Sequence, residues 1–202
     1  MESERKREGI RLVVAEDRPF IRPLLTAGDQ PEEGYVVITT ARTGEGALEI
    51  ARELAPDCLV IDASLPDTAR VLRVAERQPI CALVVVRSPS ASSAAGKQGS
   101  LVELARQGAI VYSSPAPASQ DLIYAIEAAC GCFKRERALH KRIQQLEERM
   151  ETLRLTDRAK SLLMQQGLTE EEAFSLLQKT AMNTRRPLRA VAEAIILTPP
   201  RP

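Results

Sequence analysis

The sequence contains no tryptophan, only three tyrosines and three phenylalanines, and a single histidine among its 202 residues. A core built on aromatic rings is therefore excluded, and the 44% of hydrophobic residues must pack mainly as aliphatic side chains. Of the four cysteines, only Cys130 and Cys132 are close together in the chain, whereas Cys58 and Cys81 lie in apolar runs and are expected in the core. With one histidine and no second closely spaced cysteine pair, the ligand count argues against a zinc site.

Long apolar runs and a secretion signal are also absent. The chain begins with the charged run MESERKREG, which lacks the apolar segment of a signal peptide. No apolar stretch approaches the roughly 20 residues that span a bilayer. We therefore expect a cytoplasmic protein that does not contact the membrane and keeps its thiols reduced.

No strong excess of either charge marks the chain as a whole, since its net charge is only +1. The charge is nevertheless unevenly distributed. Residues 133–202 carry 14 lysines and arginines against 9 acidic residues, and the remainder of the chain is net acidic. A basic C-terminal third fits an anionic partner such as a nucleic acid. Long exposed helices also carry many charges, so the distribution alone does not decide between these interpretations.

The N-terminal part shows a regular alternation of short apolar runs and helical segments. The apolar runs are typical of buried strands and lie at 10–15, 35–41, 58–61, 80–86 and 109–112. The helical segments lie at 19–27, 44–54, 70–77, 100–107 and 119–130. Strands that are apolar on both faces and alternate with helices indicate a parallel sheet covered on both sides. We predict an α/β fold with a doubly wound, five-stranded parallel sheet over residues 9–131.

Three carboxylates follow the predicted strands at one edge of this sheet. Glu16 and Asp17 come directly after the first strand, and Asp62 ends the third. Ligands gather at the carboxyl ends of parallel strands, and three converging carboxylates would repel one another without a cation between them. A hard divalent ion such as Mg²⁺ takes such ligands, and a carboxylate beside it can accept a phosphoryl group. The alternative is that each acid only caps a helix or a turn.

Four features mark this N-terminal unit: the run VVAED, the run VIDASLP, a hydroxyl residue after the fourth strand and a proline after the fifth. Together they resemble the receiver domain of two-component response regulators. The resemblance implies a flavodoxin-like fold in which Glu16 and Asp17 hold Mg²⁺ and Asp62 is both a metal ligand and the phosphoacceptor. It also implies a partner upstream, either a sensor histidine kinase or a sequestering protein.

The switch residues depart from the receiver pattern. Ser88 is the candidate switch hydroxyl, although Arg87 could occupy that position. Receivers usually carry lysine where this chain has Ser114, so the cation that contacts the phosphoryl group is missing. We interpret the unit as a divergent receiver whose response to phosphorylation is weakened. The alternative is a pseudo-receiver that is constitutive or controlled by a partner.

Residues 132–153 have the spacing of a coiled coil. The segment contains no glycine or proline, and its apolar residues recur at intervals of four and three. The predicted seam consists of Leu139, Ile143, Leu146, Met150 and Leu153. This heptad spacing predicts a linker helix and a homodimer interface.

Residues 154–198 have the pattern of a small three-helix, all-α domain. The long helix is expected to continue to about Gly167, a residue that favours helix ends. Thr169 and Glu172 form a predicted capping box that opens a second helix, and a third starts at 185–187. Because so small a bundle has a slight core, dimerisation through the linker helix is physically reasonable.

Three motifs occur in order in this segment: RAKSLLM at 158–164, GLTEEEAFSLLQKTAM at 167–182 and RRPLRAVAEAII at 185–196. Together they resemble the ANTAR domain, the RNA-binding module of transcription antitermination regulators. The resemblance implies that a dimer binds paired hairpins in a nascent leader transcript and lets polymerase read through.

The RNA contacts implied by this resemblance must come from polar and cationic side chains. Phe174 is expected in the core, so an aromatic platform for stacking bases is not available. Lysine and arginine bind phosphates, and polar side chains read bases. The candidates are Arg158, Lys160, Lys179, Asn183, Thr184, Arg185, Arg186 and Arg189. Each of them could instead be a solvated charge on a helix surface.

Two other functions remain open on the sequence. A phosphotransfer module would also carry Asp62, with a helical tail that binds a protein partner and not RNA. A metal-dependent phosphatase could use the same three acids, but nothing in the sequence suggests a substrate pocket. We therefore expect a regulator and not an enzyme.

Overall fold

The computed structural model describes residues 9–26, 34–87, 109–114 and 117–197. The chain divides into two compact units, residues 1–136 and 137–202, and each is treated by itself. The domain boundaries expected from the sequence, 9–131, 132–153 and 154–198, stay predictions. Across the described ranges, no helix combines the length and the apolar character that crossing a membrane requires.

The first unit is built on a five-stranded parallel sheet. Its strands are β1 (Ile10–Ala15), β2 (Tyr35–Ala41), β3 (Cys58–Asp62), β4 (Ala82–Arg87) and β5 (Ile110–Ser113). They lie in the order β2-β1-β3-β4-β5, so the chain starts inside the sheet and winds to one edge and then to the other. This topology confirms the predicted doubly wound α/β fold. The direction of winding reverses between β1 and β3, where Ala15 lies opposite Ile61.

In the described part of the first unit, four helices begin: α1 (Ile21–Thr26), α2 (Gly44–Leu54), α3 (Thr68–Arg77) and α4 (Ser119–Met164). The segment predicted as helical at 100–107 lies outside the described residues. The sequence predicts separate helical segments at 119–130 and 132–153, whereas α4 runs through Gly131 for 46 residues. A single glycine costs a helix only about 1 kcal/mol relative to alanine, which good helix formers on both sides outweigh.

Apolar layers cover both faces of the sheet. Successive residues of β1 point to opposite faces, so Leu12 and Val14 join one cluster while Val13 and Ala15 join the other. The first cluster contains residues of α1 and the start of α4, and the second contains residues of α2 and α3. These four residues of β1 are fully buried, so this interior strand holds the acids that follow it in place.

The loop after β3 is tied to the start of α2. Asp67 accepts hydrogen bonds from the backbone N–H groups of Gly44 at 3.1 Å and Glu45 at 2.9 Å. Glycine is required at position 44, because a Cβ there would lie 2.8 Å from Cγ2 of Val71. Asp67 therefore satisfies two donors in the first turn of α2, where a negative charge is also favoured by the helix dipole.

The second unit is a small bundle around the C-terminal part of α4. Two helices follow, α5 (Glu170–Thr184) and α6 (Leu188–Leu197). The predicted capping box is present: the Thr169 hydroxyl accepts from the Glu172 N–H at 3.3 Å, and the Glu172 carboxylate accepts from the Thr169 N–H at 2.9 Å. The core uses all three helices and consists of Ala159, Leu163, Ala173, Leu177, Val191 and Ala192.

The turn after α4 ends that helix with glycine in the left-handed conformation. The Gly167 N–H donates to the Met164 carbonyl at 3.0 Å, and the Leu168 N–H donates to the Leu163 carbonyl at 3.4 Å. Gly167 has a φ of 98°. This Schellman pattern confirms the predicted end of the helix.

The turn after α5 repeats that pattern with arginine in place of glycine. The Arg185 N–H donates to the Met182 carbonyl at 3.3 Å, and the Arg186 N–H donates to the Ala181 carbonyl at 3.1 Å. Arg185 has a φ of 51°. The left-handed conformation costs a residue with a Cβ roughly 1–2 kcal/mol, a cost that glycine avoids.

Candidate functional site

The three predicted acids lie at the carboxyl edge of the sheet, where β1 and β3 are neighbours. Glu16 and Asp17 follow β1, and Asp62 is the last residue of β3. Glu16 and Asp62 are almost completely buried, with 7% and 5% of their surface exposed. Asp17 is exposed. Two carboxylates that were identified from the sequence are thus removed from water, and each needs compensating contacts.

The Glu16 carboxylate caps α1. Its Oε2 accepts hydrogen bonds from the backbone N–H groups of Phe20 at 2.7 Å and Ile21 at 2.6 Å. These donors at the start of a helix have no partner within the helix itself and favour a negative charge. One oxygen of Glu16 is therefore used for capping, as the alternative to a metal site predicts. The other oxygen, Oε1, has no hydrogen-bond partner among the described residues.

Asp62 sits in a turn that is fixed on several sides. Its Oδ1 accepts from the Ser64 N–H at 2.8 Å, and its main-chain carbonyl accepts from the Thr68 hydroxyl at 3.1 Å. The next N–H, of Ala63, donates to the Val86 carbonyl at 2.8 Å. No lysine or arginine of the described part of the chain pairs with Asp62. A buried carboxylate without a cation is costly, so a bound cation would stabilise this arrangement.

The acids at this edge are of the ligand type that a hard divalent cation prefers, but they are not arranged as a complete metal site. Carboxylate oxygens of Asp17 and Asp62 are the kind of ligand that Mg²⁺ takes. Asp17 Oδ1 lies 3.8 Å from Nη2 of Arg42, and both side chains are largely exposed. In the ranges that the structure describes, no group of three or more His, Cys, Asp or Glu side chains is placed to hold a metal ion. The assignment of Glu16, Asp17 and Asp62 as metal ligands stays a prediction.

Only one of the two predicted switch residues, Ser114, belongs to the described part of the chain. Ser88 lies outside the described residues. Ser114 directly follows β5 and so belongs to the same carboxyl edge of the sheet as the acids. The resemblance to receivers predicts a lysine at this position, and the chain has an uncharged side chain there.

Three thiols lie close together at the amino-terminal ends of β3 and β4, away from the acids. A hydrogen bond with Cys130 raises the pKa of the buried Cys58 thiol, and the same contact lowers the pKa of Cys130. Burial raises the pKa of Cys81 to about 12. Cys58 is buried and Cys81 is partly buried, as expected for small core residues.

Two of the eight predicted RNA-binding residues are held in ion pairs within the second unit. Lys160 Nζ lies 3.0 Å from Asp157 Oδ1 and 3.0 Å from Glu170 Oε1, and these carboxylates raise the pKa of Lys160. Arg189 Nε lies 2.9 Å from Glu193 Oε1, which raises the pKa of that guanidinium. A cation that is paired locally must give up that contact to bind a phosphate.

Four other cations of the predicted set are exposed and have no carboxylate partner among the described residues: Arg158, Lys179, Arg185 and Arg186. Arg185 and Arg186 form the turn after α5, next to Asn183 and Thr184 at the end of that helix. The Thr184 hydroxyl donates to the Thr180 carbonyl at 2.7 Å, which leaves its oxygen able to accept a hydrogen bond.

Sequence reasoning missed the carboxylates that neutralise Lys160 and Arg189. The spacings of Asp157 to Lys160 and of Arg189 to Glu193, three and four residues on a helix, could have revealed two of these pairs. The pair between Lys160 and Glu170 joins two helices and has no local signature.

The predicted coiled-coil seam is an exposed apolar stripe on α4. Its five members are between 45% and 64% exposed: Leu139, Ile143, Leu146, Met150 and Leu153. A run of large apolar side chains on a single helix face is unfavourable in water unless a partner covers it. The stripe has the heptad spacing that a second helix would match.

Comparisons with known proteins agree with both units. The family model of the ANTAR domain matches residues 144–196. The chain is 36% identical over 192 residues to the transcriptional regulatory protein PdtaR of Mycobacterium tuberculosis, an alignment that covers 93% of this chain and 90% of that protein.

Among solved structures, NtrX of Brucella abortus is similar with a TM-score of 0.50 and 24% identity, over 66% of this chain and 29% of that one. The REC domain of AraT, a response regulator from Geobacillus stearothermophilus, aligns with a TM-score of 0.49 and 24% identity, over 63% of this chain and 97% of that one. At this identity, the likeness to NtrX shows a common fold only.

Proposed function

Because the chain belongs to the family of ANTAR-domain response regulators that includes PdtaR, we propose that it regulates transcription by binding hairpin RNA in nascent leader transcripts. Stabilising the antiterminator hairpins would let polymerase read through. The observation that carries this proposal is the turn after α5, where Arg185 and Arg186 are exposed inside the segment that matches the ANTAR domain and have no carboxylate partner in the described part of the chain. Transcripts are made in the cytoplasm, where we expect the protein to act.

The eight candidate residues have distinct roles in this proposal. Arg158, Lys179, Arg185 and Arg186 bind phosphates, since their charge is not neutralised within the described part of the bundle. Asn183 and Thr184 contact sugar or base edges next to them. Lys160 and Arg189 contribute less, because each is already engaged by a carboxylate, and the pair of Lys160 with Glu170 also joins α4 to α5.

The protein acts as a homodimer through the linker helix. Paired hairpins need two binding surfaces, and the stripe of Leu139, Ile143, Leu146, Met150 and Leu153 offers an apolar seam for a second copy. Two linked sites also raise the affinity for two linked hairpins without new contacts.

The first unit accepts a phosphoryl group from a sensor histidine kinase. A carboxylate oxygen of Asp62 attacks the phosphorus, the bond from phosphorus to the donor breaks, and an acyl phosphate forms on Asp62. Glu16, Asp17 and Asp62 are the residues that would hold Mg²⁺, and the ion would neutralise charge on the incoming group. Ser88 and Ser114 stand at the switch positions, and Ser114 supplies no cation to report the modified state. A sequestering protein is the other upstream partner that fits this loss, and no enzymatic turnover is assigned to the chain.

Recovery of bound transcripts tests the RNA proposal. The full-length protein is incubated with total host RNA, and the retained RNA is sequenced, with the Arg185→Ala/Arg186→Ala variant as the matched control. We expect paired stem–loops upstream of coding regions with the parent protein and their depletion with the variant. Equal RNA from both proteins would contradict the role of Arg185 and Arg186. No RNA from the parent while Asp62 is still phosphorylated would favour a phosphotransfer module whose helical tail binds a protein.

A further inference from the structure

A groove of about 490 Å³ lies between the three helices of the second unit. Its apolar walls include Leu163, Leu176, Val191 and Ile195. Leu163 and Val191 are buried at 1% and 4% exposure, whereas Leu176 remains 40% exposed. The groove has the volume of a small-molecule site, and sites of that kind are mostly apolar with a few polar groups that fix orientation.

The polar part of the lining consists of two hydroxyls and one guanidinium. The Thr180 hydroxyl donates to the Leu176 carbonyl at 2.7 Å, and the Thr184 hydroxyl donates to the Thr180 carbonyl at 2.7 Å. Each hydroxyl oxygen can therefore still accept a hydrogen bond from a ligand in the groove. Arg186 also lines the groove and has no carboxylate partner among the described residues. Its guanidinium offers N–H donors and a flat face.

The charge around the groove selects among possible occupants. Among the residues that the structure describes, no acidic side chain belongs to the lining and no carboxylate pairs with Arg186, which stands in it next to Arg185. This combination suits a group that is flat and partly apolar, carries N–H donors on its edge, and is attached to phosphates. An unstacked nucleobase has all of these properties.

We propose that the groove receives one unstacked loop base of a hairpin RNA, with the aliphatic walls against its faces and the threonine oxygens at its edge. The inference rests on the RNA binding proposed above and adds a site for reading sequence to the phosphate contacts. It also accounts for base recognition by a unit whose only phenylalanine, Phe174, is not part of the lining.

The test uses full-length protein and a pool of stem–loop RNAs with a fixed stem and a randomised loop. The hairpin that binds best is then prepared with an abasic nucleotide at each loop position in turn. The double variant Ala190→Leu/Ala194→Leu fills the groove from α6 without changing charge. Gln178→Leu, at an exposed position of α5 outside the lining, is the matched control.

We expect one abasic position to weaken binding to the parent and to Gln178→Leu by about tenfold or more, the loss typical of one stacked base. The double variant binds the intact hairpin and that abasic hairpin equally, with affinity that still depends on salt. The methyl resonances of Leu176, Val191 and Ile195 shift in the parent with the intact hairpin and not with that abasic hairpin, which places the base independently of any variant.

Three results would overturn the inference. The double variant could keep the full loss at the abasic position, or no abasic position could weaken binding to the parent. The double variant could also keep its base discrimination but lose the dimer, which would assign the groove to a contact between copies. If the parent bound no member of the pool, the RNA-binding proposal itself would fail, and that outcome is distinct from the other three.

Discussion

Arg185 shows how a single residue is held in an unfavourable conformation at a candidate binding surface. It takes the left-handed conformation that Gly167 takes in the equivalent turn after α4. Strained residues concentrate where function requires a particular side chain. The sequence predicted a cationic cluster at this turn, but it could not predict the sign of φ, because the turn geometry depends on how α5 and α6 pack.

Replacing Arg185 with glycine separates stability from binding. Arg185→Gly should raise the free energy of unfolding by about 0.5–1 kcal/mol, since relief of the left-handed strain exceeds the entropic cost of glycine. The same variant should bind hairpin RNA more weakly. Ala55, with a φ of 45° at the end of α2, provides the control. Ala55→Gly should gain similar stability in urea unfolding while RNA affinity stays unchanged, and a loss of stability in both variants would contradict the strain argument.

The proposed phosphorylation of the first unit requires Asp62 as the acceptor. Incubation with a small phosphodonor and Mg²⁺ should add the mass of one phosphoryl group to the intact protein. The added mass should be absent in Asp62→Asn and retained in Asp67→Asn, which changes a carboxylate that caps α2 instead. Mass spectrometry of the intact chain checks this, and labelling that survives in Asp62→Asn would exclude Asp62 as the acceptor.

At the scale of elements, the capping box of α5 could be predicted from the sequence. Its hydrogen bonds determine how stability should depend on pH. The Thr169 N–H and hydroxyl both donate to the Glu172 carboxylate and lower the pKa of that group. A carboxylate whose pKa is lowered by folding contributes stability above its unfolded pKa, and the contribution is lost as the pH falls through the folded pKa.

The second unit should therefore lose stability in acid partly through this box. The melting temperature of the parent should fall more between neutral and acidic pH than that of Glu172→Gln. The glutamine keeps an acceptor but cannot titrate. Thr169→Ala should cost about 1 kcal/mol at neutral pH through loss of the N-cap. An identical pH dependence in the parent and in Glu172→Gln would show that the box carries no electrostatic contribution.

The linker helix offers the second test at this scale. Ile143→Lys/Leu146→Lys places two charges in the apolar seam and should convert a dimer to a monomer in sedimentation equilibrium. Gln144→Lys/Gln145→Lys adds the same charge at exposed positions outside the seam and should remain dimeric. A seam variant that stays dimeric and still binds RNA would refute the assignment of this stripe as the interface.

For the whole molecule, most of the fold could be predicted from the local spacing of apolar residues. Apolar runs such as Leu12–Ala15 and the turn signals between them were sufficient for five parallel strands and two terminal helices. The position of the acids at the carboxyl edge could be predicted because each of them lies at or just after the end of a strand. Contacts between distant segments were not predictable, among them Asp67 with the start of α2 and Lys160 with Glu170. Such pairs are formed by packing, which a local pattern does not contain.

The contacts that the sequence did not predict matter because they change which cations are available to the proposed RNA partner. Eight residues were equivalent candidates on the sequence, and the structure separates four cations without a carboxylate partner among the described residues from Lys160 and Arg189, which are already paired. The central claim is therefore that phosphate binding by the second unit depends on the unpaired group, with Arg185 and Arg186 at its centre.

The salt dependence of RNA affinity tests this claim most directly. The dissociation constant of the full-length protein for the hairpin RNA recovered by selection is measured over a series of salt concentrations. The slope of log affinity against log salt should fall by about 1 for each phosphate contact removed, and so by about 2 in Arg185→Ala/Arg186→Ala. Lys160→Ala should change the slope far less. A double variant with the slope of the parent, or a parent whose RNA affinity does not depend on salt, would contradict the account.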